Sequence, residues 1–334
     1  MTPLPLIIGF GGINAAGRSS FHQGYLRMVL EQLDATRRQE CLRALSVLMH
    51  TDDEKKILDG TLVRRIEQNH FDVERVYAQR KMVVSPDGEF QTFTTRKRDL
   101  PQEIPANWRV TPIDSDRVSI QLYESTAILL PDHSPFPVRA AGQLPSGFEP
   151  GASYAARQHP RGLEMAIYAA TDAVRSVGIP WQQIVDQITP DKISVYASAA
   201  MSQMDEFGNG GMMRSNLMGK RTSSKQCPLG FAEMPADFVN AYVIGNVGAT
   251  GAMMGACATF LYNLEKAIQD IQTGKSLIAI VGTADAPILP EIMEGYRAMG
   301  ALAEDDGLRK LDSITGEPDH RRACRPFSDN CGFT

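Results

Sequence analysis

In the second half of the chain, segments with helical spacing of apolar residues alternate with continuous apolar runs. Apolar positions three and four residues apart predict two amphipathic helices, which Gly178 and Gly274 follow as C-terminal stops. The continuous apolar runs Lys192–Ala200 and Leu277–Ala284 predict one buried strand after each of these helices. Helices that alternate with apolar strands are typical of a layered α/β fold.

The first 155 residues follow a less uniform pattern. The apolar run Leu4–Phe10 predicts a buried strand that ends in a turn at the following glycines. Helical spacing of apolar residues predicts helices within Phe21–Met49 and Asp52–Glu67. Two β-rich runs joined by a Pro-Asp-Gly turn then predict a hairpin over Lys81–Thr95. The stretch from about residue 20 to residue 155 carries no recognisable chemical motif.

Composition and charge narrow the class of protein. The 334 residues are 43% apolar and 22% charged, which indicates a globular protein with one large domain or two smaller ones. A net charge of -5 gives no indication of a nucleic-acid partner or an anionic membrane. The odd number of cysteines, five, and the lack of a CxxC pair argue against a disulfide framework and a zinc site. Without a signal-like start or a long apolar run, we expect a cytoplasmic protein.

Cys257 is the candidate nucleophile. It lies in a run of glycine, alanine and methionine, directly before the predicted helix that ends at Gly274. A cysteine at a helix start faces unpaired backbone N–H groups and the positive end of the helix dipole, and both favour the nucleophilic thiolate. The small neighbours leave room for a thioester. The alternative is a buried cysteine that acts as a small apolar side chain.

Other candidate motifs are incomplete. The glycines after the first predicted strand fail the dinucleotide pattern, because Asn14 takes the place of the third glycine. We interpret this segment as a tight turn. The six histidines form no HExxH motif, and we expect each of them on the surface or in the core. Neither a metal nor an organic cofactor is predicted.

Two further features leave alternatives open. The polar loop with Lys220, Arg221 and Lys225 either attracts an acidic partner or is simply solvated. A methionine-rich stretch precedes this loop and begins at Met201. Its side chains either line an adaptable apolar pocket or fill the core.

Seven segments, in order, resemble the β-ketoacyl-acyl-carrier-protein synthases of the thiolase superfamily. The family's nucleophile motif ACATG is similar to Ala256–Thr259, although Phe260 replaces the last glycine. The other matching segments are Ile167–Ile179, Lys192–Ala200, Met234–Ala256, Lys266–Asp285, Gly295–Ala303 and Arg325–Phe333. The long stretch between the first strand and these segments is similar to the N-terminal elaboration of FabY-type synthases.

The resemblance implies a thiolase-like layered αβαβα fold, with the N-terminal half present, the C-terminal half missing and a large insertion. Residues 1–20 and 156–334 would form this half, and residues 21–155 the insertion. The resemblance makes Cys257 the acyl-accepting nucleophile, whose own N–H helps to form the oxyanion hole, and places Tyr296 beside the acyl pocket. It locates two catalytic histidines and a lysine beyond the Arg325–Phe333 segment, so we expect this chain to be part of a longer protein.

The activity implied by the resemblance is a Claisen condensation in fatty acid biosynthesis. An acyl group on Cys257, short such as acetyl, would condense with malonyl-ACP to give 3-ketoacyl-ACP. The implied partners are acyl carrier protein, acyl-CoA and malonyl thioester substrates and a second copy of the chain in a homodimer, with no nucleic acid and no membrane. The alternatives are a thiolase or another CoA-dependent condensing enzyme, and a non-catalytic partner subunit.

Overall fold

A computed structural model describes residues 4–285 and 287–326. Its helices are α1 (Gln23–Met28), α2 (Ala35–Met49), α3 (Glu54–Asp59), α4 (Arg161–Ser176), α5 (Trp181–Val185), α6 (Asn209–Ser215), α7 (Gln226–Leu229), α8 (Met234–Val239), α9 (Thr259–Gln272), α10 (Pro290–Ala298) and α11 (Asp305–Asp312). Its strands are β1 (Ile13–Asn14), β2 (Gly17–Arg18), β3 (Val63–Arg65), β4 (Val76–Val84), β5 (Gln91–Arg96), β6 (Trp108–Pro112), β7 (Arg117–Leu122), β8 (Thr126–Ser134), β9 (Ala140–Gly142), β10 (Ile193–Ser198), β11 (Thr250–Gly251) and β12 (Ile278–Thr283).

The described residues divide into two units. The larger comprises residues up to 71 and from 137 onward, and the smaller comprises residues 72–136. The smaller unit lies within the predicted insertion, whose boundaries at 21 and 155 remain a prediction.

A parallel sheet in the order β11-β10-β12 forms the centre of the larger unit. All six residues of β10 are buried, because helices cover both faces of this strand. Val195 and its neighbours at period two pack with α4 and α8, in a cluster that includes Met165 and Val239. On the opposite face, Tyr196 and Ser198 bond to side chains of α9. The predicted layered α/β arrangement is therefore present.

The smaller unit is antiparallel throughout its described strands. β4 pairs with β8 over nine residues, and β7 lies between β5 and β6. Its buried residues Val118, Ile120 and Leu122 alternate along β7, which is the period expected of a strand with one buried face.

Both strands and both helices predicted in the second half are confirmed. α4 and α9 end close to Gly178 and Gly274, whose φ angles of +75° and +73° are readily adopted by glycine. β10 and β12 lie inside the predicted apolar runs, and they pair along their whole length. The four elements lie within one alternating pattern of helix and strand.

Several predictions for the first half are wrong. Leu4–Phe10 forms no strand, and Ile7 is 86% exposed, because no described strand pairs with this segment. β4 and β5 do not form the predicted hairpin, since each pairs with a strand later in the chain. The segment Asp52–Glu67 contains only the short helix α3, and the strand β3 follows it.

The helix predicted within Phe21–Met49 is present in two main pieces. α1 ends at Met28 and α2 begins at Ala35, with a short 3₁₀ turn between them. Asp34 caps α2, because its side chain accepts a hydrogen bond from the Arg37 N–H at 3.0 Å. The apolar spacing continues across the break between α1 and α2, so it did not reveal the start of α2. The capping residue Asp34 marks that start.

Candidate active site

Cys257 lies in a 3₁₀ turn of residues 256–258 that leads directly into α9. The side chain is exposed, so this cysteine is not a core-filling residue. Cys41 on α2 provides the contrast, because it is buried and burial raises the pKa of its thiol. Of these two cysteines, only Cys257 combines exposure with a helix start, where anions are stabilised.

The residue before the nucleophile has an unusual backbone. Ala256 has a φ of +48°, in the left-handed region, where an alanine loses roughly 1–2 kcal/mol. The Thr259 hydroxyl accepts a hydrogen bond from the Gly255 N–H at 3.1 Å and donates one to the Ala256 carbonyl at 2.7 Å. The surrounding contacts therefore hold the turn in a conformation that the chain would not adopt on its own.

Gly255 is required by a close contact in the same turn. A Cβ at this position would lie 2.0 Å from the ring atom Cε2 of Tyr262. The ring of Tyr262 thus packs directly on the backbone of the nucleophile segment. A larger side chain at Gly255 would displace either the ring or the turn.

A buried network connects this turn to the sheet. The Asn263 amide accepts a hydrogen bond from the Met253 N–H at 2.8 Å and donates one to Ser198 Oγ at 3.0 Å. Ser198 Oγ in turn donates to the Met253 carbonyl at 3.2 Å. Asn263 and Ser198 are fully buried, so the network is shielded from water. It fixes the segment before Cys257 relative to β10.

Tyr296 is the other site residue that the family resemblance predicts. Tyr296 lies on α10 and is half-buried. Burial raises the pKa of its phenol, and the negative charges of Asp285 and Cys257 raise it further.

Asp285 is a residue of this site that the sequence reasoning missed. It follows β12, and its carboxylate accepts hydrogen bonds from the Ala200 and Met201 N–H groups and from Ser202 Oγ. The three donor–acceptor distances are 3.2, 3.3 and 2.6 Å. Asp285 thus joins the carboxyl ends of β10 and β12. An acidic residue directly after a buried strand was the available signal.

The loop that follows β10 has an apolar part and a basic part. None of the five methionines of the stretch is buried, and Met213 and Met218 are exposed, so this stretch is not core filling. Lys220, Arg221 and Lys225 are exposed and have no ion pair among the residues described. The exposed side chains of this stretch therefore form a surface of mixed apolar and positive character.

The histidines are not partners of the nucleophile. No hydrogen bond or ion pair joins a histidine to Cys257 in the part of the chain described. His159 is buried, accepts or donates a 2.8 Å hydrogen bond with the Tyr154 hydroxyl, and has a pKa lowered by burial. Burial, together with the charge of Arg161, lowers the pKa of His70 to about 4. These histidines occupy the core or its margin, as the sequence predicts.

Metal-binding clusters and membrane-spanning helices are both absent from the described residues. Within residues 4–285 and 287–326, no group of three or more His, Cys, Asp or Glu side chains is arranged to hold a metal ion. No described helix is long and apolar enough to cross a membrane. Most of the matching segment Arg325–Phe333 lies outside the described residues, so its predicted place at the site is not addressed.

Sequence comparisons connect these features to known proteins. Residues 84–314 match the family model "Beta-ketoacyl synthase, N-terminal domain". The chain is 48% identical over its whole length to the β-ketoacyl-[acyl-carrier-protein] synthase FabY of Pseudomonas aeruginosa. It is 29% identical, over 59% of its length, to 3-oxoacyl-[acyl-carrier-protein] synthase 2 of Staphylococcus aureus, of which it covers 45%.

A solved structure shows the same likeness. The crystal structure of the noncanonical ketosynthase FabY from P. aeruginosa superimposes with a TM-score of 0.93 over the whole chain, at 47% identity. The chain spans 56% of the length of this protein, by sequence and by structure alike.

Proposed function

Because the chain belongs to the β-ketoacyl synthase family, we propose that Cys257 accepts an acyl group from a thioester. The thiolate attacks the thioester carbonyl, and the tetrahedral intermediate collapses to an acyl-cysteine as the donor thiol leaves with a proton. N–H groups at the start of α9, including that of Cys257, stabilise the developing oxyanion. The observation that carries the proposal is the exposed Cys257 at this helix start, behind a strained turn.

The complete reaction is a Claisen condensation in fatty acid synthesis. Malonyl-ACP loses carbon dioxide, and the resulting carbanion attacks the acyl-cysteine carbonyl. A carbon–carbon bond forms, the bond to Cys257 Sγ breaks, and 3-ketoacyl-ACP is released with a free thiolate. Tyr296 lines the acyl pocket in this proposal, because it is half-buried near Cys257. A short acyl group such as acetyl is the proposed substrate.

Intact mass spectrometry after incubation with acetyl-CoA tests acyl transfer. We expect one acetyl adduct on the chain and none on Cys257→Ala. The matched control is Cys227→Ala, which removes another exposed cysteine and retains the adduct. An adduct that persists in Cys257→Ala would contradict the proposal. If neither acetyl-CoA nor acetyl-ACP modifies Cys257, the non-catalytic partner subunit becomes the better description.

Acyl carrier protein is the proposed donor and acceptor partner. Lys220, Arg221 and Lys225 lie exposed on the loop that follows β10, and positive side chains without ion pairs are available to an acidic partner. Exposed Met213 and Met218 add apolar area at the same surface. We therefore place the docking surface for acyl carrier protein on this loop. A loop that is only solvated is the alternative.

Charge reversal tests this docking surface. Lys220→Glu combined with Arg221→Glu should lower the rate of acyl transfer from acetyl-ACP about tenfold, since steering charges act mainly on association. Transfer from acetyl-CoA should change much less. Lys81→Glu on β4 is the matched exposed control and should leave both rates unchanged. Equal loss with both donors would place the effect at Cys257 instead.

A homodimer is the remaining part of the proposal. Phe260, Leu261 and Tyr262 expose apolar area at the start of α9, next to the nucleophile. Apolar surface of this kind is typical of protein–protein interfaces. Sedimentation velocity at micromolar concentration should show twice the mass of the chain, and a monomer would oppose this assembly. The cytoplasmic location also remains a prediction.

A further inference from the structure

Thr259 contacts backbone groups before and after the left-handed residue Ala256. Its Oγ accepts from the Gly255 N–H, ahead of Ala256, and donates to the Ala256 carbonyl, behind it. The side chain is 3% exposed, so water does not replace either bond easily. One hydroxyl thus bridges the Gly255 N–H and the Ala256 carbonyl, and the bridged segment includes the residue whose φ is +48°.

A second anchor holds the same segment two residues earlier. Asn263 and Ser198 bind the N–H and the carbonyl of Met253, respectively. Ser198 belongs to β10, and the Thr283 hydroxyl on β12 donates to the Ser198 carbonyl at 2.8 Å. The backbone from Met253 to Ala256 is therefore fixed at one end by the sheet and at the other by Thr259.

A threonine that bonds back to its own helix is common, and Thr171 shows the ordinary case. Its hydroxyl donates to the Ile167 carbonyl at 2.8 Å within α4, with no second partner among the residues described. Thr259 differs because it also accepts a backbone N–H and because the bonded turn precedes an exposed cysteine. The two threonines have the same chemistry in different surroundings.

We infer that Thr259 is a positioning residue for Cys257. Its hydroxyl holds the left-handed turn at Ala256, which places the thiol at the first turn of α9, and the Asn263–Ser198 pair anchors that turn to the sheet. This inference rests on the proposed role of Cys257 as acyl acceptor. Without the hydroxyl, Ala256 relaxes toward an ordinary φ, and Cys257 leaves the position that the left-handed turn gives it at the start of α9.

The test is the rate of alkylation of Cys257 by iodoacetamide, followed from pH 5 to pH 9 by mass spectrometry of its peptide. Thr259→Val keeps the shape but removes the hydroxyl, whereas Thr259→Ser keeps the hydroxyl. We expect Thr259→Val to slow alkylation at pH 7 about tenfold. Thr259→Ser should match the unchanged chain, and so should Thr171→Val.

The outcomes separate positioning from simple destabilisation. Unchanged alkylation in Thr259→Val, or equal loss in Thr259→Ser, would overturn the inference. So would a slowing of the same size in Thr171→Val, because that substitution removes a back-bonded hydroxyl remote from Cys257 in sequence. Alkylation needs no acyl transfer, so the result stands even if acetyl-CoA never modifies the chain.

A second pair of variants covers the case in which Thr259→Val does not fold. Ser198 and Ser194 are both fully buried on β10, and each hydroxyl donates to a backbone carbonyl. Only Ser198 is connected to the nucleophile segment. Ser198→Ala should slow alkylation about threefold, whereas Ser194→Ala should not. Equal alkylation rates in these two variants would overturn the anchoring role.

Discussion

β10 and β4 are both strands rich in apolar and β-branched residues, yet their surroundings differ completely. All six residues of β10 are buried between helices, whereas none of the nine residues of β4 is buried. Among the described strands β4 pairs with β8 alone, and a two-stranded ribbon gains little stability on its own. Strand-forming composition therefore does not indicate how much a segment stabilises the fold, and the site is built on the buried strand.

The strongest test of this comparison is a matched pair of leucines. Leu163 on α4 is fully buried, and Leu129 on β8 is 62% exposed. Leu163→Ala should lower the free energy of unfolding by about 4 kcal/mol, because it leaves a cavity in the layered core. Leu129→Ala should change it by less than about 0.5 kcal/mol. Calorimetry of both variants would measure this, and equal losses would remove the distinction between the two regions.

A smaller difference in stability is expected from two carboxylates, Glu164 in the larger unit and Asp132 in the smaller one. Burial raises the pKa of Glu164 on α4 to about 7, whereas a hydrogen bond from Arg80 lowers the pKa of Asp132 on β8. The raised pKa of Glu164 means that its stabilising contribution is complete below about pH 4.5, the unfolded value, and is lost as pH rises to about 7. Because the side chain is only half-buried, the loss should be about 1 kcal/mol.

The measurement is the melting temperature of Glu164→Gln between pH 4.5 and pH 8. The variant should melt about 2–4 °C above the unchanged chain at pH 8 and at the same temperature near pH 4.5. Asp132→Asn is the control. Because the folded-state pKa of Asp132 is lowered, its stabilising contribution is present above the unfolded pKa and is lost only as pH falls. A Glu164→Gln variant that is stabilised equally at both values of pH would show that ionisation of Glu164 is not the cause.

The sequence predicted the elements around the nucleophile better than those of the first half. α4, α9, β10 and β12 have long, unmixed hydrophobic periods, and local glycines mark the helix ends. Leu4–Phe10 has an equally clear apolar run, but strand formation requires a neighbour that a single segment cannot reveal. The β4–β8 pairing joins residues about fifty positions apart. The local Pro-Asp-Gly turn therefore did not predict which strand pairs with β4.

The site was predictable only in part for a related reason. The residue types and the helix start identified Cys257, and the family resemblance supplied Tyr296. Neither periodicity nor spacing indicated the left-handed Ala256 or the two bonds of the Thr259 hydroxyl. Those features depend on exact backbone geometry, which a pattern of apolar and polar letters does not encode.

Most of the contacts that shape the nucleophile turn come from residues within ten positions of Met253. This closeness in sequence makes the turn a module within one short piece of the chain, whereas β4 and β8 pair across long separations. Closeness in sequence also makes the turn sensitive to mutation, because a single substitution in this short segment can change the position of Cys257.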